Sequence, residues 1–348
     1  MFNKNYDIIT FGSAAQDIYI KSKDFVVLGN KDFVSGQGIC LPFGSKIEIE
    51  DIIFSYGGGG INTASTFAKQ GFRTAFCGAI GVDSSGLEIV RDLKQSRIDT
   101  RFLVKKRERK TNHSIVISGE NQDRTILVYR GASDLLSGKD IDWQKISKTK
   151  WFYLAPFAGL LCQSDENNIT GFEKIVNFAF ENKIKIAVNP SKKQLSLPME
   201  ELKRIFSKVD VLFLNQEEAS YLTKISFEKE FDIFKKIDEI CPGVAVMTKG
   251  EEGVVVSDGK HLYSAKPNPD REIVDTTGAG DSFASGFISD FIKSKGNIES
   301  AIQFGLANSE ANLSEIGAKI GILNKNSKFV KVEVNKQLCS ENNLCIEK

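Results

Sequence analysis

The sequence predicts an α/β protein with a doubly wound, mostly parallel sheet between helices. Three observations carry that prediction. From residue 151 onward, short apolar strand-like runs alternate with segments of helical apolar spacing, as in a parallel sheet covered on both faces. Near the N-terminus, Tyr6–Phe11 is an apolar run ending in Gly12-Ser13, as a buried central strand would be. Third, Asp275-Thr276-Thr277-Gly278-Ala279-Gly280-Asp281 leads into Phe283, Phe287 and Phe291 at helical spacing. It reads as a strand end, a tight turn and the first turn of a buried helix.

Length and composition fit this class. A chain of 348 residues, 41% apolar and 26% charged, can bury a sizeable core as one large α/β domain or two small ones. The formal net charge is +1, so nothing favours a nucleic-acid or membrane partner. The basic cluster at residues 105–110 reads as a solvated loop. Six cysteines fall at no metal-ligand spacing, and a chain of this length does not need disulfides. There is no apolar stretch long enough to span a membrane and no leader-like N-terminus, so a cytoplasmic protein is expected.

In chain order, residues 25–49 mix apolar side chains with Gly36 and Gly38 without a helical period, and read as strands and turns away from the main body. Gly57-Gly58-Gly59-Gly60-Ile61-Asn62 opens a helix striped by Ile61, Ala64 and Ala68 and stopped at Gly71. The four glycines are expected in the preceding loop, where backbone can press against a ligand. Asn62 stands where a dinucleotide fingerprint would need its third glycine. Residues 113–118 and 125–129 read as paired strands around the polar turn 119–123, flanked by Arg124 and Arg130. Strands follow at 151–155, 184–189, 209–215, 244–248 and 254–257, with a helix over 301–317. The polar tail 325–348 carries one alternating patch, 329–334, as a candidate edge strand.

The chemistry concentrates in the glycine turn. Gly278, Ala279 and Gly280 let backbone N–H groups crowd together at a helix N-terminus, whose partial positive charge favours a phosphate. Asp281 would repel that anion. It reads either as a helix cap or as the base that takes a proton from a hydroxyl beside the phosphate. Asn215 and Glu218 share one face of a helix's first turn, where a carboxylate can hold a hydrated Mg²⁺; capping alone would also explain the pair. No Gly-x-x-x-x-Gly-Lys-Ser/Thr occurs, which excludes a P-loop enzyme.

The run Asp275-Thr276-Thr277-Gly278-Ala279-Gly280-Asp281 resembles the C-terminal motif of the ribokinase-like (PfkB) carbohydrate kinases. Gly57-Gly58-Gly59-Gly60-Ile61-Asn62, Asn189-Pro190 and Asn215-Gln216-Glu217-Glu218 follow in that family's order. The resemblance implies a ribokinase-like domain over residues 1–324, with a small β-sheet lid from about 14–50 and 101–130. It implies transfer of a phosphoryl group from ATP, with Mg²⁺, to an alcohol of a sugar or sugar-like acceptor. Asp281 would be the catalytic base, and Gly278, Ala279 and Gly280 the anion hole. Asp17, Gly58, Gly59 and Asn62 would bind the acceptor; Asn215, Glu218, Thr248, Lys249, Gly250, Gly253 and Leu306 would surround the nucleotide. Glu218 would hold Mg²⁺ through water, and Asp275 and Thr277 match residues that supply a K⁺ site. The lid is also the candidate surface for a homodimer.

Two positions depart from the family pattern: Gly59 stands where many members carry lysine, and Leu306 where a polar or imidazole side chain often packs on the base. Phe25, Phe33 and Phe43 could cover an apolar face of the acceptor or hold the lid's own small core. Rival readings are a nucleoside kinase, a sugar-phosphate kinase using Arg124 or Arg130 as a cationic clamp, and a non-catalytic sensor, against which Asp281 argues. A nicotinamide dehydrogenase lacks its fingerprint.

Overall fold

A computed structural model describes residues 6–31, 36–118 and 124–338. The apolar runs assemble into one large sheet. Its spatial order is Asn335–Leu338, His261–Ala265, Val254–Ser257, Val244–Thr248, Val211–Asn215, Lys185–Val188, Thr149–Leu154, Tyr6–Phe11, Thr74–Gly81 and Asp99–Lys106. From Val244–Thr248 to Asp99–Lys106 the strands run parallel; the remaining strands extend the sheet as an antiparallel meander. Alternate side chains serve opposite faces. Ile8, Tyr153, Val211 and Val246 pack with Phe283 and Phe287 of helix Ala279–Lys293, whereas Ile9, Phe152, Leu212 and Ala245 pack with Phe172, Phe206 and Phe234. Because both faces are covered, the strands are continuously apolar. Each large side chain buried in this way contributes roughly 1.5–3 kcal/mol.

From Tyr6–Phe11 the chain passes to Thr74–Gly81 on one side and later returns on the other with Thr149–Leu154. That reversal opens a crevice at the carboxyl ends of the strands, where open α/β sheets bind ligands. A Cβ on Gly12, just past the first strand, would stand 2.8 Å from the Gly60 nitrogen and 3.0 Å from Ala155 Cβ. Helix Gly59–Lys69 therefore starts directly over the crevice.

The glycine run divides differently from the expected loop. Gly57 ends a strand, Gly58 is the N-cap at φ 98°, and Gly59 and Gly60 are already helical. The reason is close approach: a Cβ on Gly60 would lie 2.5 Å from the Phe76 ring and 3.0 Å from Gly12 Cα.

A separate four-stranded sheet, ordered Asp51–Gly57, Ala15–Lys21, Asn112–Ser118 and Arg124–Tyr129, forms the lid, with hairpin Val26–Gly29/Gln37–Cys40 beside it. The expected lid boundaries need two corrections. Asp99–Lys106 belongs to the large sheet, because Phe102 and Val104 pack into its core. Asp51–Gly57 belongs to the lid, paired with Ala15–Lys21 along its whole length. Phe43 is fully exposed and Phe25 half-buried, so neither builds a lid core. Phe33, the turn 119–123 and the side chain of Arg124 lie outside the described residues.

Three further expectations shift. Residues 271–276, before the glycine turn, are irregular rather than a strand end. The helix expected over 301–317 spans Ile298–Leu313 and then turns back, as Asn312 Nδ2 donates to the carbonyls of Gly317 (2.9 Å) and Ile320 (3.0 Å). The edge strand is Asn335–Leu338, not 329–334. Val332 and Val334 pack against the core instead, and Gln303 Nε2 donates to the Val332 carbonyl at 3.0 Å. Among the described residues, no helix is long and apolar enough to cross a membrane.

Candidate active site

The glycine turn is braced from both ends. Asp275 Oδ1 accepts from the Thr277 N–H (2.9 Å) and the Thr277 hydroxyl (2.7 Å), and its Oδ2 accepts from the Gly317 N–H (3.0 Å). Gly278 caps helix Ala279–Lys293 at φ 85°, a left-handed conformation that favours glycine. A Cβ there would also collide with the Ala318 carbonyl oxygen. Of the expected donors at Gly278, Ala279 and Gly280, the Ala279 N–H is turned to the Thr276 carbonyl at 3.4 Å; Ser282 N–H donates to the Gly278 carbonyl at 2.8 Å, and the Gly280 and Asp281 N–H groups are left without an intrahelical partner. Space beside Gly280 is open, with nothing within 4 Å of the place a Cβ would take. The turn can therefore offer donors to an anion at a helix N-terminus.

Asp281 sits in the first turn, where its Oδ2 accepts from Asn62 Nδ2 at 2.9 Å. Asn62 is buried on helix Gly59–Lys69, and its Oδ1 has no hydrogen-bond partner. A Cβ on Gly57 would stand 2.5 Å from Asp17 Oδ2 and 3.1 Å from Asn62 Oδ1. Asp17 of the lid and Asn62 of the body thus meet over a glycine. Gly59 lies alongside, with the position of its missing Cβ 3.6 Å from Asp281 Oδ1. Gly58 packs on Ser13, whose carbonyl oxygen is 2.7 Å from the corresponding position. Two carboxylates and an unpaired amide oxygen converge here, a set suited to the hydroxyls of a polyol.

Burial raises the Asp281 carboxyl above the usual carboxylate range, and the Asn62 amide opposes it. Burial pushes Asp17 up to about 6; nearby Asp275 adds to this, while the Ser114 hydroxyl, Lys319 and His113 oppose it. Glu218 is raised mainly by burial, opposed by the Asn215 N–H and reinforced by the charges of Glu217 and Asp281.

Beyond the turn lies a cavity of about 230 Å³, walled by Thr248, Gly250 and Gly253 on one side and Leu306 on the other, with Ala279 and Gly280 at its floor. Ser309 Oγ donates to the Ala279 carbonyl at 3.0 Å and ties the wall to the floor. Sequence reasoning missed Arg271, Phe283 and Glu310 in this lining. The signal for Glu310 was its helical spacing from Leu306, which puts both on one face.

Asn215, Glu218 and Lys249 are not among the cavity's lining residues. Asn215 and Glu218 form a reciprocal cap: Glu218 N–H to Asn215 Oδ1 at 2.8 Å, and Asn215 N–H to Glu218 Oε2 at 2.9 Å. Lys249 Nζ turns away to Glu230 at 2.7 Å and Glu252 at 3.5 Å, so it is spent on an ion pair. Arg130 is exposed at the end of the lid's outer strand. Among the described residues, no group of three or more His, Cys, Asp or Glu side chains is placed to hold a metal directly.

The chain matches the family model "pfkB family carbohydrate kinase" over residues 8–325. It is 26% identical over 307 residues to a ribokinase of Staphylococcus aureus, covering 85% of this chain and 95% of that protein. It is 27% identical over 242 residues to a nucleoside kinase of Methanothermobacter thermautotrophicus, covering 68% and 72%. Its fold is similar to that of Arabidopsis thaliana ribokinase complexed with ribose and ATP, with TM-score 0.72, 20% identity, and 92% and 97% of the two chains covered. The family match over nearly the whole chain leads to one conclusion: the chain belongs to the pfkB family of carbohydrate kinases and is an ATP-dependent carbohydrate kinase.

Proposed function

We propose that the protein transfers the γ-phosphoryl group of ATP to a hydroxyl of a ribose-like acceptor, with Asp281 as the base. The observation that carries this reading is the hydrogen bond that holds Asp281 to Asn62 between the open glycine turn and Asp17. The cavity beyond the turn receives the nucleotide, with Leu306 offering apolar packing to the base. Asp17 and Asn62 fix the acceptor hydroxyls. The acceptor oxygen forms a bond to the γ-phosphorus, the bond from that phosphorus to the β,γ-bridging oxygen breaks, and the hydroxyl proton passes to Asp281. The transition state is loose, so positioning and charge neutralisation supply most of the catalysis. Donors at Gly280 and Asp281 face charge on the transferring group, and the lid excludes water.

The residues present fit the cations expected with ATP. Glu218 keeps one oxygen outside its cap, and the charges of Glu217 and Asp281 around it leave an uncompensated negative field. Glu218 would hold a hydrated Mg²⁺ through water, and the ion would supply charge neutralisation at the phosphates. The Asp275–Thr277 turn supplies hard oxygen donors for K⁺, and the bracing of Asp275 pre-sets its shape.

A nucleoside acceptor is the second reading, favoured by the exposed apolar side chains Val26, Leu28, Leu41 and Phe43 around the lid hairpin, which could cover a base. We infer in addition that two copies associate through the lid. On its face opposite Asp17, Phe54, Ile18, Ile115 and Leu127 form one cross-strand row over all four strands, and Phe54 and Leu127 are exposed. Measuring ADP release with pentoses, hexoses, sugar phosphates and nucleosides tests the function. A ribose-containing acceptor should give the highest kcat/KM; turnover confined to sugar phosphates would overturn the reading.

A further inference from the structure

Residues 315–321, between the helix Ile298–Leu313 and the tail, touch both halves of the site. Toward the turn, the Gly317 N–H donates to Asp275, and the Ala318 backbone packs against Gly278. Toward the lid, a Cβ on the same Gly317 would stand 3.6 Å from the hydroxyl of Ser55, which pairs directly with Asp17. Two residues further on is Lys319, a lysine only 9% exposed, whose Nζ bonds Asp92 on helix Ser84–Gln95. The segment thus meets the edge strand of the lid at Ser55 and is tied by Lys319 to a helix of the main body.

We propose that Lys319 is a positioning residue that, through its bond to Asp92, anchors to the main body the segment touching both the phosphate-side turn and the lid strand, and so fixes Asp17 relative to Gly278 and Asp281. The charged groups around it are Asp92, Asp17 and Lys69. Lys319 helps to oppose the upward push of burial on the Asp17 carboxyl, and with burial it lowers Lys69. A buried ammonium bonded to a carboxylate is not an ordinary surface pair, whose removal changes little. The acceptor consequence rests on the reading of Asp17 given above; the mechanical one does not.

The test compares Lys319→Met, Asp92→Asn and Lys319→Arg by amide hydrogen exchange in the ligand-free protein, then by calorimetry with D-ribose, adenosine and ATP. Exchange in Asp51–Gly57 and in residues 276–281 should quicken at least ~10-fold in Lys319→Met and Asp92→Asn, while the central strands stay protected and Lys319→Arg stays near wild type. Unchanged exchange, or a uniform rise across the core with a lower Tm, overturns the proposal. Affinity for the sugar probe that binds should fall at least ~10-fold in Lys319→Met, with ATP affinity held within about twofold. Equal weakening of both would also overturn it. If the wild type binds neither D-ribose nor adenosine, the acceptor reading fails while the exchange result still decides the role of Lys319.

Discussion

Consider alanine at Gly280. A Cβ there meets nothing within 4 Å, the residue is in the first turn of a helix, and its φ is not left-handed. The folded state therefore loses no contact, and the more restricted unfolded chain should stabilise the variant by ~0.4–1 kcal/mol. Against that neutral background, the methyl group occupies the open space through which an anion must approach the Gly280 and Asp281 N–H groups. Removing one such donor from a transition state typically costs ~10²–10³ in kcat. The assay pairs ADP release, using the acceptor found by the substrate screen, with thermal unfolding. Gly278→Ala is the contrast, because its left-handed φ and the Ala318 carbonyl make the same change damaging to the fold itself. If Gly280→Ala kept its kcat and ATP KM, or lost activity only in step with Tm, the turn would not be the anion hole.

Other consequences can be checked in the same assay. Asp281→Asn should lower kcat by at least ~10²-fold with ATP affinity little changed, and near-normal turnover would remove Asp281 from the mechanism. Glu218→Gln keeps the helix cap approximately isosteric, so it should raise the Mg²⁺ concentration for half-maximal rate without altering Tm; an unchanged titration would reduce the pair to a cap. Activity should rise when K⁺ replaces a bulky organic cation at equal ionic strength, and equal rates would argue against a site at Asp275 and Thr277. Asp17, pushed up to about 6, offers two charged acceptor oxygens only when ionised and loses the charge and one acceptor on protonation, so acceptor KM should climb as pH falls through that value. Asp17→Ala should raise acceptor KM by ~1.5–3 kcal/mol at neutral pH and abolish the climb; parallel changes in ATP KM would refute the assignment.

Much of the architecture was legible because its signals are local. Apolar runs bounded by glycine gave the central strands, and the phenylalanine spacing after Gly278 gave the helix that carries Asp281. The pairing of Asn62 with Asp281, 219 residues apart, was not legible: the family pattern put one at the acceptor and the other at the proton, and no local rule connects them. The lid boundaries failed for a related reason. Asp51–Gly57 and Asp99–Lys106 each carry a run of three apolar residues, Ile52-Ile53-Phe54 and Phe102-Leu103-Val104, and which sheet each joins is decided by its partner strand. For Lys249 the resemblance implies a place beside the nucleotide, yet a long side chain follows the nearest carboxylate, here Glu230. Lys319 carried no sequence signal at all, because its meaning lies in Asp92 on a distant helix.

The lid strand Asp51–Gly57 enters helix Gly59–Lys69 through one intervening residue, Gly58. That junction has no slack. A loop of several residues would absorb a swing of the lid, but a single pivot delivers it to the start of the helix and to Asn62, one turn further on. Seating of the acceptor and alignment of Asp281 then become one movement rather than two. On the reading proposed above, the strand that seats the acceptor and the helix that carries the partner of Asp281 would then act as a single lever.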